Sequence, residues 1–234
     1  MPVDRYAINR RGTPCAVAGS SRHRERWIGV RQSEDVPGPT GAAERYAVVA
    51  LAASAGGITA LGRVLGELPV GFTVPVLVVQ HLDPRHETVL AAVLGRRTKL
   101  PVKLAEPEER VRPGIVYIAP PNHHLLVTAA GVLTLTSSEL VHFVRPSADL
   151  LFESVAGAYG ARALACVLTG TGRDGAMGIG AVKSRGGTVI VQDPASAEFP
   201  GMPEAAVANG PIDFVLPLDE IGTVIRDLVE AGTP

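Results

Sequence analysis

The stretch from Tyr46 to Gly57 constrains this chain more than any other. Six residues, Tyr-Ala-Val-Val-Ala-Leu (46–51), run without a charge into small residues and the pair Gly56-Gly57, and then Ile58, Leu61, Val64 and Leu65 recur at helical spacing. A run that is apolar at odd and even positions alike suits a strand covered on both faces, and the immediate change to helical period makes a strand–turn–helix unit. The unit recurs. Val74–Val79 is a β-branched run followed by a polar loop and a helical stretch near Glu87–Lys99. Ala163–Leu168 and Thr188–Gln192 read as strands with a helix over Ala176–Ser184 between them, and Ile221, Val224, Ile225, Leu228 and Val229 mark a closing amphipathic helix. Strands separated by helices pair in parallel. The expected fold is α/β, a doubly wound, mostly parallel sheet flanked by helices.

Residues 101–146 break this rhythm. Val116–Ala119, Leu125–Thr128 and Val132–Leu135 read as short strands, the last two joined through Ala129-Ala130-Gly131. This predicts a small antiparallel hairpin insertion. Ser147 then stands where it can cap a helix carrying Leu150, Leu151, Val155 and Ala158.

Residues 1–44 differ from the rest: arginines at 5, 10, 11, 22, 24, 26 and 31 lie among Gly, Pro and Ser with no apolar period. A disordered or mobile extension is expected there, or a basic arm for an acidic partner, with 45–234 as one catalytic domain. Arg10-Arg11 is followed by a segment too short and too rich in Gly and Pro for an export signal. No apolar run approaches the roughly 18–20 residues of a membrane helix, so membrane insertion is not expected. A net charge of −1 and 4% aromatics argue against nucleic acid as a partner. Cys15 and Cys166 fit no disulfide or metal framework, which points to a reducing, cytoplasmic setting. His123, His124 and His142 have no companion ligands at metal spacing, and no cofactor or metal is expected.

Ligands of parallel α/β sheets bind beyond the carboxyl ends of the strands. Three such ends carry reactive side chains: Ser54 after the first strand, His81 after the second, and Asp174 within Thr169-Gly170-Thr171-Gly172-Arg173-Asp174-Gly175. Serine needs a base to become nucleophilic, an imidazole is that base, and a carboxylate orients it. Gly170 and Gly172 would let backbone amides turn toward an oxyanion. Taken singly, Ser54 and Asp174 read first as helix caps and His81 as a packed or surface histidine, and only their conjunction favours the relay. Glycine-rich turns before helices also suit phosphates, although neither G-x-G-x-x-G nor a P-loop occurs.

Six stretches in order, over residues 46–230, resemble the catalytic domain of chemotaxis protein-glutamate methylesterases of the CheB type. They are Ala53–Gly57, Gln80-His81, Pro113–Pro120, Arg145–Phe152, Leu168–Gly170 with Gly172–Ala176, and Gly201–Pro203. The resemblance implies a hydrolase that converts glutamate γ-methyl esters on chemoreceptor cytoplasmic helices to glutamate and methanol, in some members also deamidating glutamine. It places the nucleophile on Ser54, the base on His81 and the carboxylate on Asp174, with the backbone amides of Thr171 and His81 as the oxyanion hole. Ala55 and Thr171 depart from the family's usual threonine and methionine. Such enzymes typically carry a receiver domain of roughly 120 residues, which 44 residues cannot form. Regulation by a separate protein in trans, or through expression, is therefore expected in place of an ungated enzyme. The alternative is an adaptor of the same fold that binds receptor helices without efficient turnover. Arg145 and Arg173 stand where they could favour acidic helices.

Overall fold

The structure, a computed structural model, describes residues 46–82 and 88–231 together with a minimal antiparallel pair, β1 (Ala7–Ile8) with β2 (Pro14–Cys15). Beyond that pair, the extension expected over 1–44 lies outside the described residues.

A seven-stranded sheet forms the body. Its strands are β3 (Val48–Ala53), β4 (Val76–Gln80), β5 (Val102–Leu104), β6 (Val116–Ile118), β9 (Ala163–Val167), β10 (Thr188–Gln192) and β11 (Phe214–Leu216). They lie in the order β11-β10-β9-β3-β4-β6-β5, and every neighbouring pair is parallel. The chain winds one way from β3 through β4, then returns to the other side of β3 with β9. The gap between the ends of β3 and β9 is therefore a topological switch point, where such sheets open a crevice.

The apolar runs explain why the sheet is covered twice. Val49, Leu51 and Ala53 of β3 face a layer made by α1 (Gly57–Gly66), α2 (Leu90–Gly95) and α6 (Leu218–Glu230), while Val48, Ala50 and Ala52 face the other. That second layer holds α3 (Ala148–Tyr159), α4 (Gly178–Ser184), α5 (Gly201–Asn209) and an antiparallel pair, β7 (His124–Val127) with β8 (Leu133–Thr136). Each fully buried Val or Leu contributes about 1.5–3 kcal/mol, so a strand apolar on both faces is held from both sides.

The middle region differs from expectation. Val116–Ile118 belongs to the main sheet, in parallel between β4 and β5, and only β7 and β8 form the antiparallel insertion. Val102-Lys103-Leu104 is an edge strand whose central lysine points to the Glu106 and Glu109 carboxylates, a pattern that reads locally as a loop. The helix expected near 87–99 is confined to Leu90–Gly95. Neither α5 nor β11 was anticipated.

Candidate active site

Ser54 follows β3 and His81 follows β4, and the register pairs Ala53 with Gln80. The two residues thus occupy equivalent positions on neighbouring strands, which lie about 4.8 Å apart. Alternation along the strands carries both toward the layer of α3 and α4, because Ala52 and Val79 already face it.

His81 Nε2 meets Asp174 Oδ2 at 2.8 Å, with Asp174 only 3% exposed. A carboxylate only accepts, so Nε2 carries the hydrogen and Nδ1 is the free lone pair of the neutral ring. Asp174 accepts three further bonds: Ser147 Oγ donates at 2.9 Å, the Ala148 amide at 2.6 Å and the Asp149 amide at 3.2 Å. These are the first amides of α3, where the helix N-terminus favours negative charge. Burial pushes the Asp174 carboxyl up, but the His81 imidazole and the α3 amides outweigh it and hold the group below the ordinary carboxylate value.

The cap alternatives are decided by geometry. The N-cap of α1 is Gly56, at φ 74° and with no side-chain cap bond, so Ser54 does not cap that helix. Asp174 caps α3, 26 residues before it, rather than the helix that follows it. Asp149 of α3 serves α4 instead, its Oδ1 accepting from the Met177 amide at 3.0 Å and the Gly178 amide at 2.7 Å.

The loop after β9 closes the other side of Ser54. The Ser54 amide donates to the Thr169 carbonyl at 3.0 Å, and a Cβ on Gly170 would lie 2.8 Å from that of Ser54. Only glycine permits this approach. Thr171 is exposed, its N–H has no acceptor among the described residues, and Gly172 turns the chain at φ 89°. The His81 N–H, by contrast, donates to the Ala53 carbonyl at 3.1 Å, a bond it would have to share to reach an oxyanion.

Several supporting residues escaped the sequence reading. Gln80 donates from Nε2 to the carbonyls of Ser54 at 2.8 Å and His81 at 2.9 Å, while its buried Oε1 has no partner among the described residues. His124, fully buried, accepts from the Ser147 amide on Nδ1 and donates from Nε2 to the Glu139 carbonyl, each at 3.0 Å. His142 Nε2 meets Asp149 Oδ2 at 3.1 Å. No spacing rule reveals these contacts, which depend on how the loops, strand ends and helix starts pack. Arg145 borders the cleft but spends its guanidinium on Asn122 and on the Ser137 and Ser138 carbonyls. Arg173 is exposed and makes no ion pair among the described residues. No group of three metal-ligating side chains occurs among the described residues, and no helix there is long and apolar enough to cross a membrane.

The CheB methylesterase family model matches residues 49–225, a span that includes Ser54, His81 and Asp174. The chain belongs to the CheB methylesterase family. It is 38% identical over 176 residues to a putative protein-glutamate methylesterase/protein-glutamine glutaminase of Leptospira interrogans, covering 75% of this chain and 91% of that one. It is 40% identical over 206 residues to the protein-glutamate methylesterase FrzG of Myxococcus xanthus, covering 86% of this chain and 62% of that relative. The crystal structure of the Thermotoga maritima CheB methylesterase catalytic domain superposes with a TM-score of 0.75 at 37% identity, over 79% of this chain and 99% of that domain. The parallel sheet with its small antiparallel pair is thus the CheB catalytic fold, and the relatives' names make this a chain of a hydrolase family.

Proposed function

We propose that this protein hydrolyses glutamate γ-methyl esters on the cytoplasmic helices of chemoreceptors, giving glutamate and methanol, and that it works in the cytoplasm where those helices lie. The observation that carries the reading is the His81–Asp174 pair, locked to the α3 N-terminus on the strand end next to the one that carries Ser54. The names of the relatives supply the substrate class.

Ser54 Oγ attacks the ester carbonyl while His81 Nδ1 takes its proton. The negative charge on the carbonyl oxygen is met by the Thr171 N–H, and Asp174 stabilises the imidazolium. The tetrahedral species collapses, His81 returns the proton to the departing methoxide, and methanol leaves. Water, deprotonated by the same Nδ1, then attacks the acyl-serine, and His81 returns that proton to Ser54 Oγ as glutamate leaves. With a glutamine side chain the leaving group is ammonia and the steps are unchanged, in line with the glutaminase activity in the relatives' names.

Methanol release from a methylated receptor fragment, compared between the protein and Ser54→Ala, tests this. Release that vanishes in the variant is expected, together with fluorophosphonate labelling of Ser54 that needs His81. Equal release from both would remove Ser54 from the mechanism. Labelling without any release would favour the adaptor reading.

A further inference from the structure

Segment 137–145 overhangs the site in a form that costs the backbone something. Val141 and Val144 exchange N–H···O bonds of 3.2 and 2.9 Å, closing a two-residue hairpin. Its two tip residues, His142 and Phe143, lie at φ 49° and 65°. Left-handed backbone at two consecutive positions is what such a turn needs, and it normally selects Asn-Gly or Gly-Gly. A bulky aromatic there is an outlier that persists only where its surroundings enforce it.

The surroundings do enforce it. The His142 imidazole is held on the buried Asp149 carboxylate, and His124 grips the Glu139 carbonyl. Arg145 binds the Ser137 and Ser138 carbonyls through one nitrogen and Asn122 through two others. What this framework holds up is apolar: Phe143 is 94% exposed and Leu140 53%. Below them a cleft of about 170 Å³ runs from Leu140, Phe143 and Val144 past Arg145 to His81. Arg173, next to Asp174 in the chain, is exposed and without an ion pair among the described residues.

A helix with side chains is about 10–12 Å across, far too wide for a cleft of this volume, which holds one side chain. A helical substrate must therefore lie across the rim and extend only its ester side chain past His81 toward Ser54, which does not itself line the cleft. Residues three and four positions from the ester share its face and meet the rim. From this we infer that Phe143 and Leu140 determine specificity by packing on apolar residues one turn from the ester of an acidic amphipathic helix, with Arg173 pairing a carboxylate of the same helix. The inference rests on the receptor reading above and adds which residues recognise the helix.

The decisive variant is Phe143→Gly, because glycine suits φ 65° better than phenylalanine and the hairpin survives. For a methylated receptor fragment, KM is expected to rise about tenfold or more, the usual scale for losing an exposed aromatic anchor, with kcat held. For p-nitrophenyl acetate, which cannot span the rim, any change in KM is expected to be at least about tenfold smaller, and the melting temperature should hold or rise. Phe143→Trp should restore helix turnover, and Leu140→Ser should repeat the defect. A wild-type KM for the fragment in Phe143→Gly would overturn the inference alone, as would an equal loss on both esters. Ser54-dependent cleavage of p-nitrophenyl acetate by a wild-type protein that ignores the fragment would overturn the receptor reading and this inference with it.

Discussion

The Gln80 side-chain amide donates to the main-chain carbonyl of Ser54 at 2.8 Å, and the same nitrogen holds the carbonyl of His81 at 2.9 Å. One planar group thus spans the strand ends that carry the proposed nucleophile and base. Gln80→Met keeps the volume and removes both bonds at a cost of about 1–3 kcal/mol, although the Ser54 carbonyl keeps its bond from the Gly57 amide at 2.9 Å. Gln80→Glu sets an anion against both carbonyls. In either variant kcat for a small ester should fall about tenfold or more at unchanged KM, equivalent to about 1.4 kcal/mol in the barrier. Steady-state kinetics beside thermal melts check this, and lost stability with intact kcat would refute it.

Ser147 has two duties, since its hydroxyl donates to Asp174 and accepts from the Leu150 amide at 3.4 Å. Ser147→Ala should cost about 1 kcal/mol as a lost cap. It should also slow Ser54 labelling by a fluorophosphonate, because Asp174 loses a bond that fixes its rotamer. Denaturant melts and labelling rates measure the two effects separately; a labelling rate equal to wild type would leave only the cap.

Asp174 and Asp149 titrate in opposite directions. Burial, reinforced by the nearby Asp174 charge, raises the Asp149 carboxyl above its ordinary value despite the Met177 and Gly178 amides and His142. Its contribution to stability is therefore complete below the unfolded value and lost as pH rises through the folded one. Asp174, held low, contributes above the unfolded value and loses that contribution as pH falls through its folded value. Asp149→Asn should accordingly gain on wild type as pH rises above about 4, and Asp174→Asn should gain on wild type as pH falls below about 4. Urea unfolding across that series decides it, and parallel curves would contradict both assignments.

Gly170→Ala would bring a methyl group against Met202 Sδ and to 2.8 Å from the Ser54 Cβ. Overpacking of this kind costs about 1–3 kcal/mol. Because Ser54 is one of the two groups that must yield, esterase activity should fall more than about tenfold even below the melting temperature. An active Gly170→Ala enzyme would mean that the loop relaxes away from Ser54.

The uninterrupted apolar runs made the sheet legible, and the rule about strand ends pointed to Ser54, His81 and Asp174. The roles of single carboxylates were not legible. Asp174 sits just before a helix, and local reasoning assigns it to that helix; the sheet instead delivers it to Ser147 and Ala148. Three-residue strands such as Val102–Leu104 and Phe214–Leu216 carry too few positions for a period and exist because a neighbour pairs with them. The helix Gly201–Asn209 begins Gly-Met-Pro, a start that local propensity disfavours and that the burial of Met202 and Ala206 overrides.

The two helices of the active-site layer trade carboxylates: α3 lends Asp149 to the first amides of α4, and the loop entering α4 lends Asp174 to the first amides of α3. Neither N-terminus is complete without the other, so the pair behaves as a single cooperative latch rather than two independent helices. A disturbance that frays the seven residues of α4 pulls the Asp174 loop with it and unpairs His81 before the sheet is touched. Catalytic competence thereby becomes a readout of one local unit, able to disappear and return while the rest of the fold stands.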